Sequence, residues 1–204
     1  ELIQEIQSYN ADFKNRKGFD VLGNYGIKLI TLGTVENLSF LNKFPHLSQI
    51  LFMDPLKKVK DFSPVFNRVN LTSFKVMNSQ FSDKDLQKLS KFKKINNLSL
   101  VGSRVTDISA LENTNLGTLN LRGSPVKSIQ VLKNMKNLKS LNVIDCPIED
   151  FSPISNLKLE TIYLKNTVSD ELMEILKKNE ALKVVYYDQM KMTKEEFLSK
   201  YHTR

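Results

Sequence analysis

Three successive stretches decide how this chain folds: Ile95–Leu111, INNLSLVGSRVTDISAL; Leu116–Leu132, LGTLNLRGSPVKSIQVL; and Leu138–Ile154, LKSLNVIDCPIEDFSPI. Apolar residues hold the first, fourth and sixth positions of each, then the eleventh, fourteenth and seventeenth, with polar or small residues between. Working outward and aligning on the first apolar residue, the pattern recurs eight times, from Ile27, Leu47, Leu71, Ile95, Leu116, Leu138, Leu159 and Leu182. The periods are 20, 24, 24, 21, 22, 21 and 23 residues. A unit of this length, repeated along the chain, predicts a solenoid.

Within one copy, Leu98 and Leu100 alternate with Ser99 and Val101, the period of a short strand whose two faces look in opposite directions. Each copy therefore adds one strand to a parallel sheet. The return segment brings a second apolar triplet, Val105, Ile108 and Leu111, to pack behind the strand. One copy buries little by itself, so stacking completes the core.

This spacing is the leucine-rich-repeat pattern. The chain resembles the bacterial short-repeat branch of that family, of which internalins are members, because Asp107-Ile108-Ser109, Asp150-Phe151-Ser152 and Asp61-Phe62-Ser63-Pro64-Val65 echo its D-I-x-P-L return segment. The resemblance runs over roughly residues 27–200. It implies an α/β solenoid with a curved parallel sheet on the concave face and short helices and 3-10 turns on the convex face. The expected organisation is a helical cap over residues 1–26 and a solenoid of about eight repeats over 27–204, ended by a closing helix.

The ninth position departs from that resemblance. It usually holds an Asn that bonds the tight turn after the strand, but from the second copy onward it reads Pro55, Ser79, Ser103, Ser124, Cys146, Thr167 and Met190. A hydroxyl satisfies a turn amide as Asn does, though more weakly. Cys146 fills a slot that Ser holds in sister copies, which makes the only cysteine a structural residue rather than a reactive thiol and leaves no disulfide within the chain.

The return segments differ among themselves. Ser82-Asp83-Lys84-Asp85, Ser169-Asp170-Glu171 and Thr193-Lys194-Glu195-Glu196 place a hydroxyl before acids and predict helix starts. The three central copies have shorter returns containing Pro or Ser, which predict one turn of 3-10 helix each. At the front, Leu2, Ile6, Tyr9 and Phe13 follow helical spacing, and Phe19 to Gly26 reads as a hairpin around Gly23-Asn24 or as an irregular strand. At the back, Thr193 to Lys200 predicts the closing helix.

A hydrophobic content of 41% over 204 residues is ample for one continuous core. No apolar run approaches the roughly 18 residues that span a bilayer, so no transmembrane segment is expected. The chain begins at Glu1 without an initiator Met or a leader, which reads as a processed mature protein or a piece of a longer one. The net charge is +8. Lys43, Lys91, Lys93, Lys94, Lys133, Lys136, Lys158, Lys177 and Lys178 all fall late in their copies and predict a basic rim, which would attract an anionic surface or simply be a solvated edge. With Arg scarce and no aromatics interleaved, a nucleic-acid partner is not expected.

The concave face is where side chains from consecutive strands stand in columns. The fifth position gives Thr31, Leu51, Lys75, Ser99, Asn120, Asn142, Tyr163 and Tyr186, and the seventh gives Gly33, Met53, Met77, Val101, Arg122, Ile144, Lys165 and Asp188. An apolar zone, Leu51, Met53, Met77 and Val101, lies in the first half. A polar and aromatic zone, Arg122, Asn142, Tyr163, Lys165, Tyr186 and Asp188, lies toward the C-terminus. Tyr and Arg are frequent interface anchors, so this face is expected to bind a protein, with the chain itself a monomer. The bland alternative is that Tyr163 pairs with Tyr186 and Lys165 with Asp188 across neighbouring strands.

The residue inventory argues against an enzyme. His46 and His202 fall at opposite ends, His46 in the loop before the Leu47 strand. No second imidazole is therefore at hand for a metal site or a His-activated nucleophile. The seven glycines form no phosphate-binding or dinucleotide motif, and no cofactor is expected. Asp107 and Asp150 occupy equivalent turn positions and read as caps. What the resemblance implies is a secreted or surface-attached protein that binds a protein of another cell. A cytoplasmic adaptor, an effector delivered into a host cell and a structural module of a larger chain are the alternatives.

Overall fold

A computed structural model describes residues 19–21, 26–29, 36–44, 46–68, 70–165 and 168–201. The stripe at Leu2, Ile6, Tyr9 and Phe13 lies outside them. So does the loop at Gly23-Asn24, but its flanks, β1 (Phe19–Val21) and β2 (Gly26–Leu29), pair antiparallel with Val21 opposite Ile27, which is the hairpin alternative.

From β2 the sheet runs parallel in chain order through β3 (Gln49–Pro55), β4 (Ser73–Met77), β5 (Asn97–Val101), β6 (Thr118–Asn120), β7 (Ser140–Asn142), β8 (Thr161–Leu164) and β9 (Val184–Tyr187). Every neighbouring pair is consecutive in sequence, which is what a solenoid requires. The fourth and sixth positions point into the core. Leu98, Leu119, Leu141 and Ile162 form one buried column, and Leu100, Leu121, Val143 and Leu164 the next. Behind them Val105, Ile108 and Leu111, with their counterparts in later copies, join a single cluster running from Leu38 to Phe197.

The return segments sort as their sequences predict. Helices α1 (Asp83–Leu89), α2 (Asp170–Lys178) and α3 (Lys194–Tyr201) form where hydroxyls precede acids. Ser169 Oγ accepts from Leu172 N at 3.1 Å, and Thr193 Oγ1 from Glu196 N at 3.2 Å, so each of these two starts has one of its free amides met by the capping hydroxyl. The central returns are 3-10 turns at Ser109–Asn113, Gln130–Asn134 and Ser152–Ile154. Asp107 and Asp150 each accept the backbone amide two residues on, at 2.8 Å, and so act as caps.

Three features depart from the repeat as read in sequence. Ile27 pairs with Ile50, a fourth-position residue, so the first copy begins three residues before Ile27 and Lys28 stands opposite Leu51. Ile27 and Ile30 are spaced three apart like the first and fourth positions, which is why an alignment on apolar residues slips there. In β3 the ladder is bulged: Leu51 pairs with Lys75 but Pro55 with Met77, so four steps along one strand oppose two along the other. At the far end, β10 (Met190–Thr193) turns back antiparallel on β9 through Asp188 and Gln189, both with positive φ. Met190 is therefore an exposed strand residue and not a ninth-position turn residue.

One buried charge was not legible in the sequence. Arg68, only 1% exposed, donates to the carbonyls of Pro64 and Leu41 and so ties together the 3-10 turns Ser63–Val65 and Ser39–Lys43 of adjacent coils. Burial lowers its pKa to about 10.

Candidate functional site

The columns on the concave face follow from strand register. Leu51, Lys75, Ser99, Asn120, Asn142, Tyr163 and Tyr186 are successive Cα partners, so the fifth-position column predicted from Leu51 onward is a physical row of side chains. Neighbours in such a row sit about 4.8 Å apart, within reach of one another.

At the C-terminal end of the row the rings of Tyr163 and Tyr186 stack, with centroids 4.2 Å apart and planes 4° from parallel. Both are half-buried. Burial, reinforced by the neighbouring phenol and a hydrogen bond with it, pushes the Tyr163 hydroxyl above its ordinary pKa. The pairing expected of two tyrosines on adjacent strands is thus present, and it builds one wide aromatic block. A stacked pair loses little side-chain entropy on contact with a ligand, because the rings already hold each other.

The asparagines next to it have a local task. Asn120 Oδ1 accepts from Arg122 N, and Asn142 Oδ1 from Ile144 N, both at 3.1 Å. Each side chain takes an amide that would otherwise extend the ladder, which ends β6 and β7 after three residues. Their Nδ2 groups have no partner among the described residues and face the same side as the tyrosines. Arg122 is exposed beside them.

Lys165 Nζ lies 2.8 Å from Asp145 Oδ1, in the preceding coil, a partner absent from the predicted column. Asp145 stands at the eighth position, where Asn78, Gly102, Gly123 and Asp145 all have φ between 43° and 67°. Asn, Asp and Gly are the residues that tolerate this conformation, so their recurrence was a turn signal in plain view. Asp188 is exposed, but it belongs to the β9–β10 turn and continues the seventh column only in part. Ile144 is buried and offers a ligand nothing.

In the first half of the face, Leu51, Met53, Met77 and Val101 are half-buried. The β3 bulge moves Pro55 opposite Met77, so Met53 and Met77 are not register partners as the repeat alignment had them. Thr31 and Gly33 lie outside the described residues. Ser99, in mid-row and 5% exposed, has a buried hydroxyl oxygen with no hydrogen-bond partner.

Among the described residues no group of three or more His, Cys, Asp or Glu stands together as a metal site would require. The Cys146 thiol bonds the Leu121 carbonyl at 3.0 Å, and burial pushes its pKa up to about 11. A thiol held protonated in this way is a poor nucleophile. His46 is an exposed turn residue ahead of β3.

No family model matches the chain, and no curated protein is similar to it in sequence. Solved structures are similar in fold. Internalin C2 of Listeria monocytogenes superposes with a TM-score of 0.68 at 17% identity, over 89% of this chain and 80% of that one. The internalin InlF of the same organism gives 0.59 at 20% identity, over 90% of this chain and 61% of its own. A plant ice-binding protein gives 0.62 at 11% identity, over 92% and 69%. These likenesses establish the leucine-rich-repeat solenoid. They do not select a ligand, since one fold hosts many functions.

Proposed function

We propose that this solenoid is a non-catalytic recognition module that binds a partner protein on its concave face, with Tyr163, Tyr186 and Arg122 as anchors. The observation that carries this reading is the Tyr163–Tyr186 stack, standing in an in-register row beside the exposed Arg122 and the free Asn120 and Asn142 amides. Aromatic rings with a polar tip and an adjacent guanidinium are the side chains in which interface energy concentrates. Lys165 and Asp188 form the polar edge of this patch, and the half-buried Met53 and Met77 give an adaptable apolar extension toward the N-terminal half.

Likeness to internalins supports a bacterial protein that is secreted or surface-attached. Among the described residues no helix is long and apolar enough to cross a membrane. Fractionating the source cells and probing with an antibody checks the location, and recovery from the cytoplasm alone rejects it.

The face is tested with the double variant Tyr163→Ala/Tyr186→Ala. A partner captured by the wild-type domain and measured by calorimetry should bind the folded variant with affinity lower by about two orders of magnitude or more, as expected for two hot-spot aromatics. Unchanged affinity removes the face from consideration.

A further inference from the structure

We propose that the edge of the solenoid where each return segment leads into the next strand is a binding track for an acidic polysaccharide, separate from the concave face. The first ground is the balance of charge along this edge. Lys91, Lys93, Lys94, Lys136 and Lys158 are all exposed along this edge. The carboxylates described on the same edge are Glu112, Glu160 and Glu180, and Glu160 is already bound by Lys183 at 3.1 Å and approached by Lys139 at 4.0 Å. On the opposite edge stand Asp61, Asp83, Asp107 and Asp150, each accepting backbone amides of a return turn. This use holds those four acids on the opposite edge, where the exposed Lys57, Lys58, Lys60, Lys84 and Lys127 accompany them, so the two edges differ in how few carboxylates offset the lysines and not in where lysine occurs. Of the lysines on the other edge, Lys94 donates to Asn70 Oδ1 at 2.8 Å and Lys178 ends α2, while Lys91, Lys93, Lys136 and Lys158 lie past the ends of the turns whose carbonyls a cation would favour.

The second ground is shape. The edge carries an open recess of about 410 Å³ between Ser155–Lys158 of one coil and Lys178–Ala181 of the next, with Lys158, Lys178 and one carboxylate, Glu180, on its walls and Asn156 beside them. Lysines entering from two coils around one recess give a point where an anionic group meets two cations, and further coils repeat the edge at about 4.8 Å.

The third ground is the mixture of side chains. Asn67, Asn115, Asn137 and Asn156 interleave with the lysines and are exposed. Asn137 Nδ2 donates to Asn115 Oδ1 and Asn67 Nδ2 to Asn42 Oδ1, and the donor and acceptor capacity these bonds leave over suits a polymer carrying hydroxyls as well as charge. The single large exposed apolar residue described, Met190, is elsewhere, and Phe92, between Lys91 and Lys93, is half-buried against the core, so the edge offers no freely exposed ring to stack a base and no wedge for a lipid surface.

The test uses a heparin oligosaccharide as probe and neutral dextran as control, measured by calorimetry. Wild type should bind heparin but not dextran, with affinity falling roughly tenfold or more between about 0.05 and about 0.5 M salt. Replacing Lys91, Lys93, Lys94, Lys136, Lys158 and Lys178 by Gln should reduce binding at least about tenfold, whereas Arg at the same positions should keep it. Tyr163→Ala/Tyr186→Ala should bind heparin like wild type, so failure here and failure of the concave-face reading are distinguishable. Absence of heparin binding, binding indifferent to the Gln changes, or equal capture of single-stranded RNA or of anionic vesicles through the same lysines overturns the proposal.

Discussion

The hydroxyl oxygens of Ser103 and Ser124, in neighbouring coils, lie 3.1 Å apart and are both buried. What each serine does next fixes the direction of that bond. Ser124 gives its proton to the Leu100 carbonyl at 2.7 Å, so the proton between the serines belongs to Ser103, which in turn accepts from Val105 N at 3.4 Å. The row that was expected to replace an asparagine ladder is therefore a relay running from amide to hydroxyl to hydroxyl to carbonyl. It stitches one coil to the next where the strand turns into its return segment.

Ser124→Ala should destabilise the fold by about 1–3 kcal/mol, because it strands the Ser103 hydroxyl proton in the interior and leaves the Leu100 carbonyl only the Ser103 amide at 3.2 Å. Ser124→Cys should lose much less, since Cys146 makes the same kind of bond to Leu121 O one coil further on. Urea unfolding of the two variants compares them directly. A Cys variant as unstable as the Ala variant would contradict the relay.

Gly102→Ala should cost more than Gly123→Ala. Both glycines have positive φ, 58° and 67°, which costs an L residue about 1 kcal/mol. A Cβ on Gly102 would also come within 2.2 Å of Asn78 Oδ1 and 3.3 Å of its Cα, whereas one on Gly123 meets nothing nearer than 3.8 Å. Melting temperatures should therefore fall in the order wild type, Gly123→Ala, Gly102→Ala. Equal losses would mean that the strained backbone alone decides, and that Asn78 swings aside freely.

The buried columns were legible because the repeat prints the same instruction in every copy: Leu98, Leu119 and Leu141 can be aligned without knowing any contact. Helix starts were legible for a similar reason, as Ser169 and Thr193 carry their caps in local sequence. What failed was whatever broke the copy number. The first coil slipped by three because its first position is not apolar, and the β3 bulge is invisible to an alignment that assumes equal strand lengths. The eighth copy has its strand, β9, where the repeat put it, but Met190, read as its ninth position, begins β10 because Asp188 and Gln189 turn the chain. On the candidate site, the row from Leu51 to Tyr186 was legible from period alone. The Lys165–Asp145 pair was not, because it joins a seventh position to an eighth across coils. Arg68 was missed because nothing in sequence separates a buried arginine from a solvated one.

Cys146 should resist thiol reagents near neutral pH, reacting more slowly than a free thiol by about two orders of magnitude, as its thiolate is scarce with a pKa of about 11. The linkage has a definite sign. The folded thiol ionises above the ordinary value of 9.0, so its contribution to stability is complete below that pH and is lost as pH rises from 9.0 through about 11. Cys146→Ser should remove this alkaline loss while keeping the bond to Leu121 O. Rapid labelling of the native protein at neutral pH would contradict the burial.

Asp83 joins two coils through a single carboxylate. Burial by itself would raise its pKa, but the Thr106 hydroxyl at 2.7 Å and the amides of Thr106 and Asp107 at 2.8 and 3.2 Å hold it below the ordinary 3.8. A carboxylate depressed in this way stabilises the fold fully above its unfolded value, and the contribution disappears as pH falls through the lower folded value. Asp83→Ala should accordingly cost about 1–2 kcal/mol near neutrality, in the range of a lost cap bonded to several donors, and much less well below pH 3.8 where wild type has lost the charge too. Asp83→Asn should fall between the two, because its carbonyl can still accept both amides while the Thr106 hydroxyl loses its charged partner. Urea unfolding of the three proteins at neutral and acid pH decides the matter: a gap between wild type and Asp83→Ala that stays constant with pH would show that side-chain packing, and not the charge, holds α1 to the following coil.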